Sequence, residues 1–186
     1  MKVSEIAREI AREIEDGLER INDREADDLV KAILDSDKIF CHSLGREGIV
    51  MRAFAMRLMH LGLKSFVVGD MITPPIGKED LLVVSVGPGV CHTIAALIEV
   101  AKKNHGRIAF ITAHPESKLA RASDLVMSLP GSTMAKEKAP EHGSIQPMGS
   151  LQEQMLLIYL DAIVMKLMEK LNKTAEDMTK RHTNLE

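Results

Sequence analysis

The 186-residue chain has no tryptophan, one tyrosine and only two cysteines. Few aromatic rings and a net charge of −3 at pH 7 argue against nucleic-acid binding, which favours a basic surface with stacking side chains. Cys41 and Cys91 form no CxxC pair, so a disulfide framework is not expected. No uncharged apolar run reaches the roughly 18 residues of a membrane span. The charged N-terminus lacks the apolar region of a signal peptide, which predicts a cytoplasmic protein without a membrane partner.

Apolar residues alternate between helical and strand spacing along the chain. We expect one domain over residues 1–186. Its parts are N-terminal helices at 1–36, an α/β core at 37–130, a connecting loop at 131–148, and a C-terminal helix and tail at 149–186. Strands are predicted at 38–42, 64–69, 81–86, 107–112 and 125–129. Helices of the core are predicted at 46–61, 90–104 and 117–122, and the last helix at 149–171.

This alternation predicts a three-layer α-β-α sandwich with a five-stranded parallel sheet in the flavodoxin-like order 2-1-3-4-5. Ligands bind such sheets at the switch point between the first and third strands. Two glycine-rich loops, at 43–48 and 86–91, are expected there. A loop that leads from a strand into a helix presents backbone N–H groups to an anion. The alternative is that each loop only makes a tight turn.

The first half of the last predicted helix is apolar nearly all round. Burial on two sides would account for this pattern. It predicts a homo-oligomer.

Four segments resemble the 6-phospho-3-hexuloisomerases, a sugar isomerase (SIS) domain family. They are Phe54-Ala-Met-Arg-Leu-Met-His-Leu-Gly62, Thr73-Pro74, Ser144-Ile-Gln-Pro-Met-Gly-Ser-Leu-Gln-Glu-Gln154 and Arg181-His-Thr-Asn-Leu-Glu186. The resemblance spans nearly the whole chain. It implies interconversion of arabino-3-hexulose 6-phosphate and fructose 6-phosphate, with no metal or organic cofactor, usually by a tetramer. It also implies a place in the ribulose monophosphate route of formaldehyde fixation, or in the reverse of that route in archaea.

Such an isomerisation needs a base that shuttles a proton between adjacent carbons through an enediol. The resemblance assigns this role to Glu153, near the start of the last helix. It assigns a proton-carrier role to His182, whose tail can reach a neighbouring subunit's site, and it also matches His60 with small catalytic weight. The alternatives are that Glu153 and His60 complement helix dipoles and that His182 is solvated.

The same resemblance makes Arg46 a fork for the substrate's phosphate, although it could equally be a surface arginine. Ser150 is expected to bind sugar hydroxyls or to cap the last helix. Further substrate-binding candidates are Ser43, Gly45, Glu47, Gly48, Thr73, Gly87, Gly89, Cys91, Thr93, Ser144 and Gln146.

The two glycine loops depart from the family pattern. The family's Gly-Ala-Gly-Arg-Ser-Gly is here Ser43-Leu-Gly-Arg-Glu-Gly48, and its Ser-Gly-Ser-Gly-Glu-Thr is here Val86-Gly-Pro-Gly-Val-Cys91. Each lost hydrogen bond to a charged group is worth about 1.5 to 3 kcal/mol. A Glu47 carboxylate ~5 Å from a phosphate charge would add repulsion on the order of 3 kcal/mol. A non-catalytic or regulatory SIS domain that binds a sugar phosphate or a less charged ligand is therefore the alternative function.

Two Cys-His pairs give a third hypothesis. Cys41-His42 ends the first predicted strand and Cys91-His92 opens the helix after the third, so both pairs are expected at the switch point. Thiolate and imidazole suit a borderline metal such as zinc. The alternatives are that Cys41 packs as a small hydrophobe and that Cys91 is a helix-start thiol of lowered pKa.

Overall fold

Five short apolar segments form one parallel sheet in the computed structural model, which describes residues 1–131, 133 and 144–185. The strand order is β2-β1-β3-β4-β5, and every neighbouring pair is parallel, which confirms the predicted topology. The strands are β1 (Ile39–His42), β2 (Ser65–Val67), β3 (Leu81–Ser85), β4 (Arg107–Thr112) and β5 (Leu125–Ser128).

Seven helices are formed by the described residues. They are α1 (Val3–Leu18), α2 (Asp23–Leu34), α3 (Gly45–Leu61), α4 (His92–Lys103), α5 (Lys118–Arg121), α6 (Ser150–Lys170) and α7 (Ala175–Thr179). The helix α7 lies in the segment that the sequence assigned to a tail. It begins with a capping box in which the side chains of Thr174 and Asp177 each accept a hydrogen bond from the other residue's backbone N–H.

The strand residues alternate between two apolar cores, one on each face of the sheet. Cys41, Leu81 and Val83 belong to the core that α2, α3 and α6 cover. Phe40 and Leu82 belong to the core under α4 and α5. The predicted three-layer sandwich is therefore confirmed, and the central strand β3 is buried along its whole length.

Most of the predicted connecting loop at 131–148, namely residues 132 and 134–143, lies outside the described residues, as does the terminal residue of the predicted tail. Within the described part of the chain, no helix combines the length and the apolar character needed to cross a bilayer.

Candidate active site

A cavity of about 180 Å³ lies where α3 and α6 begin, beside the loop that follows β3. Because carboxyl ends of parallel strands meet at one edge of the sheet, the loops after β1 and β3 are delivered to the same place. Five residues proposed from the sequence line this cavity: Arg46, Glu47, Gly87, Ser150 and Glu153.

Arg46 joins the first turn of α3 to the first turn of α6. Its Nη1 donates a hydrogen bond to Ser150 Oγ at 2.9 Å and lies 2.8 Å from Glu153 Oε2. The Glu153 side chain is 18% exposed, whereas that of Arg46 is 60% exposed. The predicted base is thus a mostly buried carboxylate that is oriented by the predicted phosphate-binding arginine. Solvent around Arg46 weakens the pair, which leaves its guanidinium able to exchange partners.

Glu47 binds the second glycine loop. Its Oε1 accepts a hydrogen bond from the Gly87 N–H at 2.9 Å, and its Oε2 accepts one from Ser85 Oγ at 2.6 Å. Burial raises the pKa of Glu47 above its ordinary value; the hydrogen bonds from Ser85 and Gly87 oppose this shift, and the nearby Glu153 carboxylate adds to it. The sequence analysis predicts that the Glu47 carboxylate repels a phosphate bound at the glycine loops. In the structure, the carboxylate itself takes a loop N–H that was expected to bind the anion.

The absence of a side chain at position 87 permits this arrangement. A Cβ there would lie 3.1 Å from Glu47 Oε1 and 2.9 Å from Gln152 Cγ, closer than side chains normally approach. Ser43 Oγ donates to the Ser85 carbonyl at 2.6 Å and so ties the first glycine loop to β3. Ser43 therefore supports the cavity wall from behind, although it is not one of its lining residues.

Gln152 is a cavity residue that sequence reasoning missed. Its side chain lines the cavity and the residue is only 1% exposed. Neither its Nε2 nor its Oε1 has a hydrogen-bond partner in the described structure. The residue lies in the segment that matches the family, but only the orientation of α6 shows that it faces the loop after β3.

Ser144 and Gln146, which are predicted from the sequence to bind the sugar, instead attach the segment before α6 to α1. Glu13 accepts hydrogen bonds from Ser144 Oγ at 2.7 Å, from the Ile145 N–H at 2.7 Å and from Gln146 Nε2 at 3.0 Å. Burial raises the pKa of Glu13, but the bonds from Gln146, Ser144 and Ile145 outweigh it, so the pKa is lowered. Ser144 and Gln146 are not among the residues that line the cavity.

The two predicted histidines meet each other rather than Glu153. The rings of His60 and His182 stack with centroids 5.3 Å apart, and Arg57 Nη1 lies 3.3 Å from His60 Nδ1. Burial lowers the pKa of His60, and the charges of Arg57 and His182 lower it further. At about 1.5 Å per helical residue, His60 is roughly 21 Å along α3 from Arg46. Within one chain, the histidine pair and the cavity are separate.

The remaining glycine-loop candidates are not among the residues that line the cavity. Gly45 begins α3, and Gly48 packs against the Ser43 carbonyl. Gly89 has a φ of 72° and packs against the Ser117 side chain. Cys91 and Thr93 lie at the start of α4, where Thr93 is exposed.

Thr73 also lies away from the cavity. Its Oγ1 donates to the Val67 carbonyl at 2.7 Å, and the residue borders a different, apolar cavity of about 210 Å³.

The predicted meeting of the two Cys-His pairs is wrong. Cys41 is fully buried in the core beside α3 and α6, where burial raises its pKa to about 12, while Cys91 packs on the opposite face of the sheet. Strand alternation explains the separation, because Cys41 points away from the face that carries α4. His42 Nδ1 lies 3.1 Å from the Val68 carbonyl, and His92 is exposed. No group of three or more His, Cys, Asp or Glu that could hold a metal occurs among residues 1–131, 133 and 144–185.

A cavity lined in part by charged and polar side chains, at the switch point of a doubly wound parallel sheet, is typical of a ligand-binding domain of the α/β class. The chain belongs to the SIS domain family, whose model matches residues 32–163.

Similarity to known proteins extends over the whole chain. It is 40% identical to the 3-hexulose-6-phosphate isomerase of Bacillus subtilis (strain 168), with 100% of both chains covered. It is 37% identical to the 3-hexulose-6-phosphate isomerase of Mycobacterium gastri over 94% of this chain and 86% of that protein. Its structure matches the crystal structure of a hypothetical protein of Methanococcus jannaschii, from which a function of 3-hexulose-6-phosphate isomerase was inferred. That match has a TM-score of 0.82 and 31% identity, and covers 98% of this chain and 99% of that one. The family resemblance seen in the sequence is confirmed.

Proposed function

We propose that the chain is a sugar-phosphate isomerase that interconverts arabino-3-hexulose 6-phosphate and fructose 6-phosphate through an enediol. The observation that carries this proposal is the Glu153 carboxylate, which lines the cavity and is oriented by Arg46 at 2.8 Å. The names of the full-length relatives from Bacillus subtilis and Mycobacterium gastri support the same reaction.

In the proposed mechanism, Glu153 removes a proton from the carbon next to the substrate's carbonyl. The C–H electron pair forms the enediol's double bond, and the carbonyl oxygen gains a proton. Glu153 then returns its proton to the carbon that carried the carbonyl, and the neighbouring hydroxyl loses its proton as it becomes the new carbonyl. General acid-base catalysis of this kind contributes about 10² to 10⁴-fold in rate.

Arg46 has the chemistry to bind the substrate's phosphate. A guanidinium has five N–H donors, and Ser150 and Glu153 both bind through Nη1 alone. The other donors of this exposed side chain remain able to form a fork with phosphate oxygens. Arg46 would then link the substrate to its base.

The histidine pair enters this proposal through a second subunit. His182 and His60 lie far from Glu153 in their own chain, so we propose that His182 transfers protons to sugar oxygens in a neighbouring subunit's cavity. His60, which is buried and stacks on His182, keeps a small catalytic weight. A homo-oligomer, most simply a tetramer, is supported by exposed apolar side chains on α6, namely Leu157, Ile158 and Met165. Light scattering coupled to gel filtration would give the number of subunits. We also propose that the protein acts in the ribulose monophosphate pathway and is located in the cytoplasm.

A second candidate is a SIS domain that binds a less charged ligand and catalyses no reaction. It is favoured by one observation, which is that Glu47 already binds the Gly87 N–H at 2.9 Å. Melting temperatures measured with fructose and with fructose 6-phosphate separate the two candidates. A melting temperature that rises with fructose but not with fructose 6-phosphate would favour the non-catalytic binding domain.

The direct test of the proposed reaction uses the purified wild-type protein. Fructose 6-phosphate is added, and formation of the 3-ketose is followed by NMR of ¹³C-labelled sugar. We expect an equilibrium mixture of the two ketoses. A folded protein that leaves fructose 6-phosphate unchanged at high enzyme concentration would refute the proposal.

A further inference from the structure

The Gln152 amide is buried at the cavity wall without satisfying its own hydrogen-bonding groups. The residue is 1% exposed, and both polar atoms of its side chain lack a partner in the described part of the chain. Buried amides are nearly always hydrogen-bonded, because losing water without gaining a partner is unfavourable. A ligand in this cavity is a natural source of the missing partners.

Gln152 and Glu47 approach the same point from two elements. A Cβ at Gly87 would lie 2.9 Å from Gln152 Cγ and 3.1 Å from Glu47 Oε1, so both side chains pack against this glycine. Both residues also line the cavity. The Gln152 side chain and the Glu47 carboxyl group therefore border the same glycine, while Gln152 Oε1 itself packs against Gly131.

A phosphate is a poor match for this pair. The dianionic phosphate group that predominates at neutral pH offers only acceptor oxygens. Glu47 is also an acceptor when ionised, and it already binds the Gly87 N–H and the Ser85 hydroxyl. Two like charges this close would repel each other. A hydroxyl is a good match, because its O–H can donate to Glu47 or to Gln152 Oε1 while its oxygen accepts from Gln152 Nε2.

We infer that Gln152 and Glu47 form a subsite for an uncharged, hydroxyl-bearing part of the ligand, and that the phosphate of a sugar phosphate binds away from Gly87. The inference rests on the proposed function for the identity of the ligand, a sugar phosphate. Gln152 is then a specificity-determining residue of the cavity.

The test compares Gln152→Met with the wild type by titration calorimetry against fructose 6-phosphate, fructose and inorganic phosphate. Methionine keeps the length of the side chain and removes both polar atoms. We expect the affinity for fructose 6-phosphate to fall about tenfold, as for the loss of one or two hydrogen bonds. The affinity for inorganic phosphate should stay the same, and the melting temperature of the ligand-free protein should not fall, because an unpaired buried amide has been removed.

Gln154→Met is the matched control. Gln154 lies on the same helix and its Oε1 is likewise buried without a partner among the described residues, but it does not line the cavity. This variant should bind all three ligands as the wild type does.

Several results would overturn the subsite. They are an unchanged affinity of Gln152→Met for fructose 6-phosphate, an equal loss of affinity for inorganic phosphate, and a wild type that binds neither fructose 6-phosphate nor fructose. If Gln152→Met does not fold, the NMR signal of the Gln152 side-chain amide in the wild type gives the answer. It should shift with fructose 6-phosphate and not with inorganic phosphate, and no shift with the sugar phosphate would refute the inference.

The subsite and the reaction fail in different ways. A wild type that binds fructose 6-phosphate with the expected effect of Gln152→Met, but does not isomerise it, keeps the subsite and loses the reaction. Turnover whose KM is unchanged by Gln152→Met keeps the reaction and loses the subsite.

Discussion

Glu47 Oε1 lies 2.9 Å from the backbone N of Gly87 and accepts its hydrogen bond. This contact places an acidic group of the protein at a loop whose geometry suits an anionic ligand. The cavity of this SIS domain therefore combines a glutamate-arginine ion pair, Glu153 and Arg46, with a glycine loop in which the Gly87 N–H is already bound.

Replacing Glu47 by serine should open the second glycine loop to anions. The change frees the Gly87 N–H and removes a repulsion on the order of 3 kcal/mol for a phosphate ~5 Å away. We expect inorganic phosphate to bind Glu47→Ser roughly a hundredfold more tightly, measured by titration calorimetry.

The control for this change is Glu99→Ser, which removes the same charge from an exposed position on α4. It should leave phosphate binding unchanged. Equal phosphate affinities of Glu47→Ser and the wild type would show that Glu47 does not keep anions from the loop.

The raised pKa of Glu47 predicts how its contribution to stability depends on pH. The folded protein holds the proton of this carboxyl more tightly than the unfolded chain, whose carboxyl has the ordinary pKa of 4.5. The contribution is therefore complete below about pH 4.5 and is lost as the pH rises through the higher folded pKa. Glu47→Gln cannot titrate at this position, so the wild type should lose stability relative to it over that range. Urea unfolding of both proteins at several pH values measures the difference, and a wild type that gains relative stability as the pH rises would contradict the assignment.

Glu13 is predicted to hold the segment before α6 against α1. Its pKa is lowered, so its contribution is present above the ordinary value of 4.5 and is lost as the pH falls through the folded pKa. Because Glu13 is only partly buried, we expect Glu13→Gln to cost only about 1 kcal/mol of unfolding free energy at neutral pH. Urea unfolding measures this loss. Glu15→Gln, an exposed change on the same helix, should cost less than about 0.5 kcal/mol, and equal costs for the two variants would argue against the anchoring role.

Gly89 and Gly45 offer a matched pair for testing the packing of the second glycine loop. Both have positive φ, 72° and 58°, but a Cβ at Gly89 would lie 2.8 Å from Ser117 Cβ, whereas one at Gly45 would meet nothing within 4 Å. Gly45→Ala should cost about 1 to 2 kcal/mol from backbone strain alone. Gly89→Ala should cost clearly more, measured as the difference in unfolding free energy. Equal costs would mean that the loop moves away from Ser117 freely.

The alternation of apolar segments was sufficient to predict the sheet order, because short crossovers and burial on both faces leave few arrangements. The family resemblance assigned Arg46 and Glu153 to the site separately, but it did not predict their ion pair, because nothing local in the sequence places the start of α6 beside the start of α3. Gln152 could not be assigned, because one helical position changes a side chain's direction by about 100° and only the packing of α6 sets its rotation. The partnership of Glu13 with Ser144 joins segments far apart in the chain, and no local pattern indicates it.

The most direct test of the proposed isomerase is the conversion of fructose 6-phosphate to the 3-ketose by the wild type and by Glu153→Gln, measured as kcat. Glutamine preserves the shape of the side chain but cannot accept the carbon-bound proton. We expect turnover by the wild type and a kcat about 10² to 10⁴-fold lower for Glu153→Gln with the fold intact. Asp161→Asn, an exposed carboxylate change on α6, should retain the wild-type kcat. A Glu153→Gln protein that converts the sugar at the wild-type rate would contradict the account.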